Sequence, residues 1–259
     1  MKIAIYQQDI AWERPEANYE KMARALEAVG KGCDMMVVPE TCSTGFSDNM
    51  ATMAEEAEGA TMAFGRAMAR EHDALFVGTW AVREKDGRVY NRMHLIEPSG
   101  AYHTYDKAHT FRMSSEATQL ARGEKQRVIE WRGWRLRPAV CYDLRFPKWL
   151  RNRALETAGR TMEYDLMVVC ANWPASRHEA WSTLLKARAI ENLCYVIGVN
   201  RTGTDAAGIA YTGDSAAIDY KGQEIGGCGH GGEGVTCVEI EREALETFRR
   251  HWPFYLDFD

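Results

Sequence analysis

Three residues far apart in the chain, Glu40, Lys107 and Cys141, each close a strand-like run: "MMVVPE", "YHTYDK" and "LRPAVC". Ligands of open α/β sheets gather in the crevice beyond the carboxyl ends of strands. A carboxylate, an ammonium and a thiol delivered there would form one constellation, and the chemistry open to it is nucleophilic. A free thiol titrates near about 8.5, and a neighbouring cation favours the reactive thiolate. A carboxylate within reach can take the thiol proton and return it to a leaving amine. The lysine, beside the amide N–H of Tyr142, can stabilise the oxyanion of a tetrahedral intermediate. Singly, each residue has a plainer reading: a salt-bridged glutamate, a surface lysine, a core cysteine. The turn that follows Cys141, "CYDLRFP", resembles the strand-to-helix bend that exposes nucleophiles in other hydrolases.

The elements that must position these groups alternate between strand-like and helical periods. "KIAIYQQ" reads as a strand, and Asn18 to Gly30 as an amphipathic helix ended by glycine. "DMMVVPE" reads as a central strand, apolar on both faces. A helix through "AEEAEGATMAFGRAMAREH" leads to a meander of "LFVGTWAVRE", "NRMHLIEPSG" and "AYHTYDK", with turns at "KDG" and "PSG". "WRLRPAVC" precedes a helix read over "PKWLRNRALETAG"; then come "YDLMVVCAN", a helix through Leu193, "CYVIGVN", a hairpin around "DYKGQE" and "GVTCVEIE". The glycine-rich stretch Gly226 to Gly234 lacks the lysine and the following helix of a phosphate loop and reads as a flexible hairpin. This is α/β throughout, with two mixed sheets face to face and helices outside, and no linker or repeat divides it.

Composition removes several classes. The 259 residues fit a single domain. A net charge of -5, with both signs interspersed, gives no basic stripe for a nucleic-acid backbone. The apolar run at the N-terminus is too short for a signal peptide or a membrane span. The seven cysteines are odd in number and form no C-x-x-C pair, so reduced thiols in a cytoplasm are expected. Cys228 and His230 are too sparse for a zinc site, and neither a metal nor a cofactor is called for.

The motifs "VVPE" followed by "GF", "YDKAH", "CYDLRFP" and "ANWP", then "HEAWSTLLKARAIENLCYVIGVNRTG" and "GDSAAID", resemble the nitrilase superfamily of carbon–nitrogen hydrolases over essentially the whole chain. Glu40, Lys107 and Cys141 match its Glu-Lys-Cys triad. The resemblance implies a four-layer α-β-β-α sandwich over residues 1–259 as one domain, paired as a homodimer across the helical layer. "YDKAHTFRMSSE" is similar to the omega-amidase-like branch and makes Glu116 a second glutamate that holds Lys107 and helps position the substrate; the plainer reading is an exposed loop residue. That branch acts on small ω-amides of 2-oxo dicarboxylic acids. The expected partner is thus a small amide of the 2-oxoglutaramate or 2-oxosuccinamate type, hydrolysed through a thioester on Cys141. The same triad would also serve a nitrile, an N-carbamoyl amine or a deaminated peptide-like metabolite. Arg145, one turn past the nucleophile, can grip a substrate carboxylate bidentately; pairing with Asp143 or Glu40 is the alternative. Tyr142, Phe46, Trp173 and Arg177 are candidates for the pocket lining. His109 could act as a papain-like base for the thiol, but the resemblance makes the matching histidine structural.

Overall fold

Alternation along the strands decides the architecture. In β1 (Lys2–Gln7), Ile3 and Ile5 enter one apolar cluster while Ala4 and Tyr6 enter another, and both are buried. A strand buried on both faces needs a layer on each side. The computed structural model, which describes residues 1–29, 32–157 and 160–258, supplies both layers.

The chain continues through α1 (Pro15–Ala28), β2 (Met35–Val37), α2 (Ala60–His72), β3 (Leu75–Arg83), β4 (Val89–Ile96), β5 (Tyr102–Asp106), α3 (Glu116–Gln119), β6 (Ile129–Trp131) and β7 (Trp134–Val140). After a 3₁₀ turn over Cys141–Arg145 come α4 (Pro147–Leu150), β8 (Ala154–Thr157), β9 (Arg160–Met162), β10 (Leu166–Ala171), α5 (His178–Asn192) and β11 (Tyr195–Asn200). The remainder is β12 (Thr202–Thr204), β13 (Ala210–Ile218), β14 (Glu224–His230), β15 (Gly234–Glu239) and α6 (Arg242–His251). One sheet runs β15-β1-β2-β3-β4-β5, and the other β12-β13-β11-β10-β7-β6, with β14 added on β13. Strands β1, β2 and β3 are parallel, as are β7, β10 and β11. The expected meander is present as the antiparallel β3-β4-β5.

Between the sheets lie Ile5, Val37, Val77 and Leu95 from one side and Leu136, Val140, Val168 and Ile197 from the other. The outer face of the first sheet packs Ala4, Met36 and Phe76 on Met22 and Leu26 of α1 and Met62 and Met68 of α2. The outer face of the second packs Met167, Val169 and Val196 on Trp181, Leu185 and Ala189 of α5. The result is the α-β-β-α sandwich. No described helix is long and apolar enough to cross a membrane.

Local structure departs from the sequence reading at several points. The helix read from Ala54 starts at Ala60, because Glu55 caps it from outside: its carboxylate accepts from the Thr61 amide at 2.8 Å. The first helix starts at Pro15 rather than Asn18, with proline in its first turn. Asn18 lies within it as a tether, bonding Ala11 and the Ser43 carbonyl; Gly30 lies outside the described residues. The helix read over "PKWLRNRALETAG" stops at Leu150. The carbonyls that a next turn would need are already taken: Trp149 accepts from Arg137 and Gln126, and Leu150 from the Tyr164 hydroxyl. Residues Ala154–Thr157 then pair with β9; Ala158 and Gly159 lie outside the described residues. The glycine-rich stretch is largely strand β14, and Gln7 Nε2 holds the carbonyls of Gly229, Gly231 and Gly232 where the chain turns into β15.

Candidate active site

Four strand ends converge on one place. Glu40 follows β2, Lys107 follows β5, Cys141 follows β7 and Asn172 follows β10. The first two belong to one sheet and the last two to the other. Lys107 Nζ lies 2.8 Å from Glu40 Oε1 and 2.9 Å from both carboxylate oxygens of Glu116, the first residue of α3. All three are almost completely buried. Glu116 is therefore not an exposed loop residue; its Oε2 also accepts from the Phe111 amide at 2.6 Å. Asn91, on β4, donates from Nδ2 to Glu40 Oε1 at 2.8 Å and to Glu116 Oε1 at 3.0 Å.

The second sheet closes the other side of Glu40. The Asn172 amide donates to Glu40 Oε2 at 2.8 Å, and its side chain donates to the Glu40 carbonyl at 2.6 Å and to Thr41 Oγ1 at 2.8 Å. Cys141 Sγ in turn sits 3.8 Å from the Asn172 carbonyl. Cys141 has a φ of 43°, a left-handed conformation that a residue with a Cβ adopts only under constraint. Asp143 supplies the constraint. Its carboxylate accepts from the Val140 amide at 3.0 Å, from the Tyr105 hydroxyl at 2.8 Å and from the His109 amide at 2.9 Å. His109 Nδ1 lies 2.7 Å from the same carboxylate and its ring stacks on Phe146, so the imidazole braces the turn instead of facing the thiol as a base.

Electrostatics distinguish the members of the cluster. Burial opposes the charge on Lys107, but the Glu116 and Glu40 carboxylates outweigh it and push its pKa up, so it is a firm ammonium. Burial, with Glu40 adding to it, pushes the Glu116 carboxyl above its ordinary range despite Lys107. Burial also pushes the Cys141 thiol well up, again with help from Glu40 and against Lys107. The cation beside the thiol acts in the expected direction, favouring the thiolate, but burial and Glu40 outweigh it. A thiol held so would need a base in order to act as a nucleophile.

Cys141 and Lys107 open onto a pocket of about 480 Å³, which Tyr142, Arg145, Phe46, Trp173 and Arg177 also line. Arg145 lies over the Trp173 ring at 4.8 Å, and Arg177 over Phe111 at 5.4 Å. Neither guanidinium makes an ion pair or donates a hydrogen bond among the described residues, so Arg145 pairs with neither Asp143 nor Glu40. Sequence reasoning passed over the opposite wall: Trp12, Ile209, Tyr211 and Asp205, the last accepting from the Tyr211 hydroxyl at 2.9 Å. It also passed over Asn91. The one signal for Asn172 was its place immediately after a strand, in "ANWP".

Comparison with known proteins bears on the same chemistry. The sequence profile described as "Carbon-nitrogen hydrolase" matches residues 2–250. The omega-amidase YafV of Yersinia enterocolitica is 39% identical over 259 residues, covering 100% of this chain and 97% of that protein. The 2-oxoglutaramate amidase of Bacillus subtilis is 31% identical, covering 98% and 96%. XC1258 of Xanthomonas campestris, a CN-hydrolase superfamily protein solved with an arsenic adduct in its active site, superposes with a TM-score of 0.96. It is 40% identical and covers 100% of this chain and 97% of its own.

Proposed function

The chain belongs to the carbon–nitrogen hydrolase family and hydrolyses amides, and from that premise we propose that its substrate is a small ω-amide carrying a free carboxylate, of the 2-oxoglutaramate or 2-oxosuccinamate type, cleaved to acid and ammonia. The observation that carries this reading is the Arg145 guanidinium, without an ion partner among the described residues, lining the same pocket as the thiol, with a buried acid–amine–acid cluster beneath. An arginine left without a carboxylate partner at a pocket wall suits a substrate that brings one. The names of the relatives, an omega-amidase and a 2-oxoglutaramate amidase, agree with it.

In this reading the Cys141 thiol gives its proton to Glu40 as sulfur bonds to the amide carbon. The carbonyl electron pair moves onto oxygen, which the Lys107 ammonium and the Tyr142 amide stabilise. The upward push on the thiol pKa favours such a concerted transfer. Protonated Glu40 returns the proton to the amide nitrogen as the carbon–nitrogen bond breaks, ammonia leaves and a thioester remains. Water attacks the thioester, losing its proton to Glu40, and the acid departs as the thiol is restored. Glu116 holds Lys107 and, through it, helps position the substrate. Tyr142, Phe46, Trp173 and Arg177 shape the pocket, with Arg145 fixing the carboxylate. The same reading has the protein working as a homodimer in the cytoplasm. The exposed Trp252, Phe254 and Leu256, which a second copy could cover, support the first part, and the free thiols of the described cysteines support the second.

A substrate panel tests this. Ammonia release is measured with 2-oxoglutaramate, glutamine and a simple nitrile, and hydrolysis is followed with an N-carbamoyl amino acid. 2-Oxoglutaramate is expected to give the highest kcat/KM. A preference for the nitrile or the carbamoyl compound would overturn the substrate assignment and leave the triad chemistry standing.

A further inference from the structure

We propose that Asn91 is a positioning residue that sets the protonation behaviour of the two buried carboxylates and fixes which Glu40 oxygen acts as the base. The inference rests on the amidase reading above. Asn91 Nδ2 and Lys107 Nζ each donate to both Glu40 Oε1 and Glu116 Oε1, so the four atoms close a ring of alternating donors and acceptors. Each Oε1 receives two donors and has no lone pair to spare. Glu40 Oε2 accepts only the Asn172 amide among the described residues, which leaves it one lone pair. The thiol proton therefore goes to Oε2.

Asn91 is also the neutral member that lets two carboxylates share one ammonium. Without it, two acids lying on the same buried nitrogen would repel each other with only Lys107 between them. Its own Oδ1 is buried with no hydrogen-bond partner among the described residues. A side chain placed for the fold alone would not leave its acceptor unmet while both amide hydrogens go to carboxylates. Its backbone carbonyl also accepts the Lys107 amide at 2.9 Å, so one residue holds Lys107 and both acids in register. The titratable and charged groups facing the carboxylate pair are Lys107 beyond β5, the Cys141 thiol beyond β7 and the Cys170 thiol on β10. The pair loses or gains its proton as a unit, so the effect belongs to the cluster.

The test is the pH profile of kcat/KM for ammonia release, in Asn91→Ala and in the isosteric Asn91→Asp. Removing the shared donor disfavours the ionised pair, so the acid limb of Asn91→Ala moves to higher pH by about one unit, tenfold in rate on the limb. Asn91→Asp adds a third carboxylate and moves the limb further. In both, most of the rate returns on the alkaline side. A limb that stays where the wild type has it, or a loss that is equal at every pH, overturns the proposal. A readout that needs no variant comes from the wild-type protein: the Asn91 side-chain amide resonances, in asparagine-labelled enzyme, shift with the midpoint of the acid limb. Resonances that do not move across the limb overturn it equally. Cys141→Ala in the same assay separates the two levels. An enzyme that still turns over without Cys141 sinks the amidase reading and this inference with it, whereas a Cys141-dependent rate whose limb ignores Asn91 sinks the inference alone.

Discussion

Two buried charge clusters differ in make-up, one under the pocket and one at the opposite ends of the strands. Asp165, the residue before β10, accepts from the Arg135 amide and guanidinium at 2.8–3.1 Å and from Arg249 at 2.9 Å. Arg249 spends its other donors on Glu246 and on the carbonyls of Leu193 and Tyr164. Two guanidinium groups thus meet two carboxylates. Burial works against the ionised Asp165, but the Arg135 hydrogen bonds and the Arg249 charge outweigh it and hold its carboxyl below the usual range. Under the pocket the charges do not balance: two carboxylates share one ammonium, and Glu116 is pushed up instead. Nearby, Arg145 and Arg177 have no ion partner among the described residues. A charge-balanced network holds the fold together, and an acid-rich one beneath a pocket holds unused proton-accepting capacity.

Substitutions can break or sharpen that contrast. The largest effect is expected at the pocket: Cys141→Ala lowers kcat by at least about a thousandfold, and Glu40→Gln by about 10²–10⁴-fold, while urea midpoints stay near that of the wild type. A stability loss matching the activity loss would erase the distinction. Next comes Asp165→Asn, which leaves two guanidinium groups facing a neutral amide. Urea unfolding is expected to show a loss of about 3–5 kcal/mol, with kcat of the folded fraction unchanged. Arg145→Met follows. A charge-assisted pair is worth about 1.5–3 kcal/mol, so kcat/KM for the carboxyl-bearing amide falls on the order of 10- to 100-fold, with little change for a neutral amide of similar size. An equal loss on both would remove Arg145 from carboxylate recognition.

The smallest effect concerns pH and stability, where the two clusters have opposite signs. Asp165, held low, contributes stability above the unfolded carboxylate range, and that stability is lost as pH falls through its folded value. Glu116, held high, favours the fold below that range and costs stability as pH rises through its folded value. Glu116→Gln should therefore raise the urea midpoint at neutral pH while lowering turnover, and the gain should vanish in acid. A midpoint lowered at neutral pH would refute the assignment of strain to that carboxylate.

Much of this was legible in the sequence because strand ends are legible. Glu40 and Cys141 each follow an apolar run and Lys107 a strand-like one, and the parallel strands β2, β7 and β10 fix which end of each sheet the first and last of them reach. What escaped depends on neighbours that only folding brings. Asn91 is an unremarkable polar residue within a strand until β5 lies beside β4 and Lys107 folds over the edge. Asp143 has meaning only with Tyr105 and His109 across from it. Helix α6 and the hairpin β8–β9 went unread, and the helix over "PKWLRNRALETAG" was overextended, because side chains remote in sequence, Arg137, Gln126 and Tyr164, take the carbonyls that would have continued it.

Glu40 comes from one sheet and Cys141 from the other, so the gap a proton would cross in the proposed mechanism is set by how far apart the two sheets stand. The apolar layer holding Val37, Val77, Leu136 and Val168 sets that separation together with the hydrogen bonds that Asn172 and Asp143 make across it. Close-packed interiors yield little under thermal motion, so the sandwich works as a caliper, holding Glu40 and Cys141 to a fixed reach. Shaving or adding a methyl group in that greasy midline, well away from any charge, would alter the reaction coordinate itself.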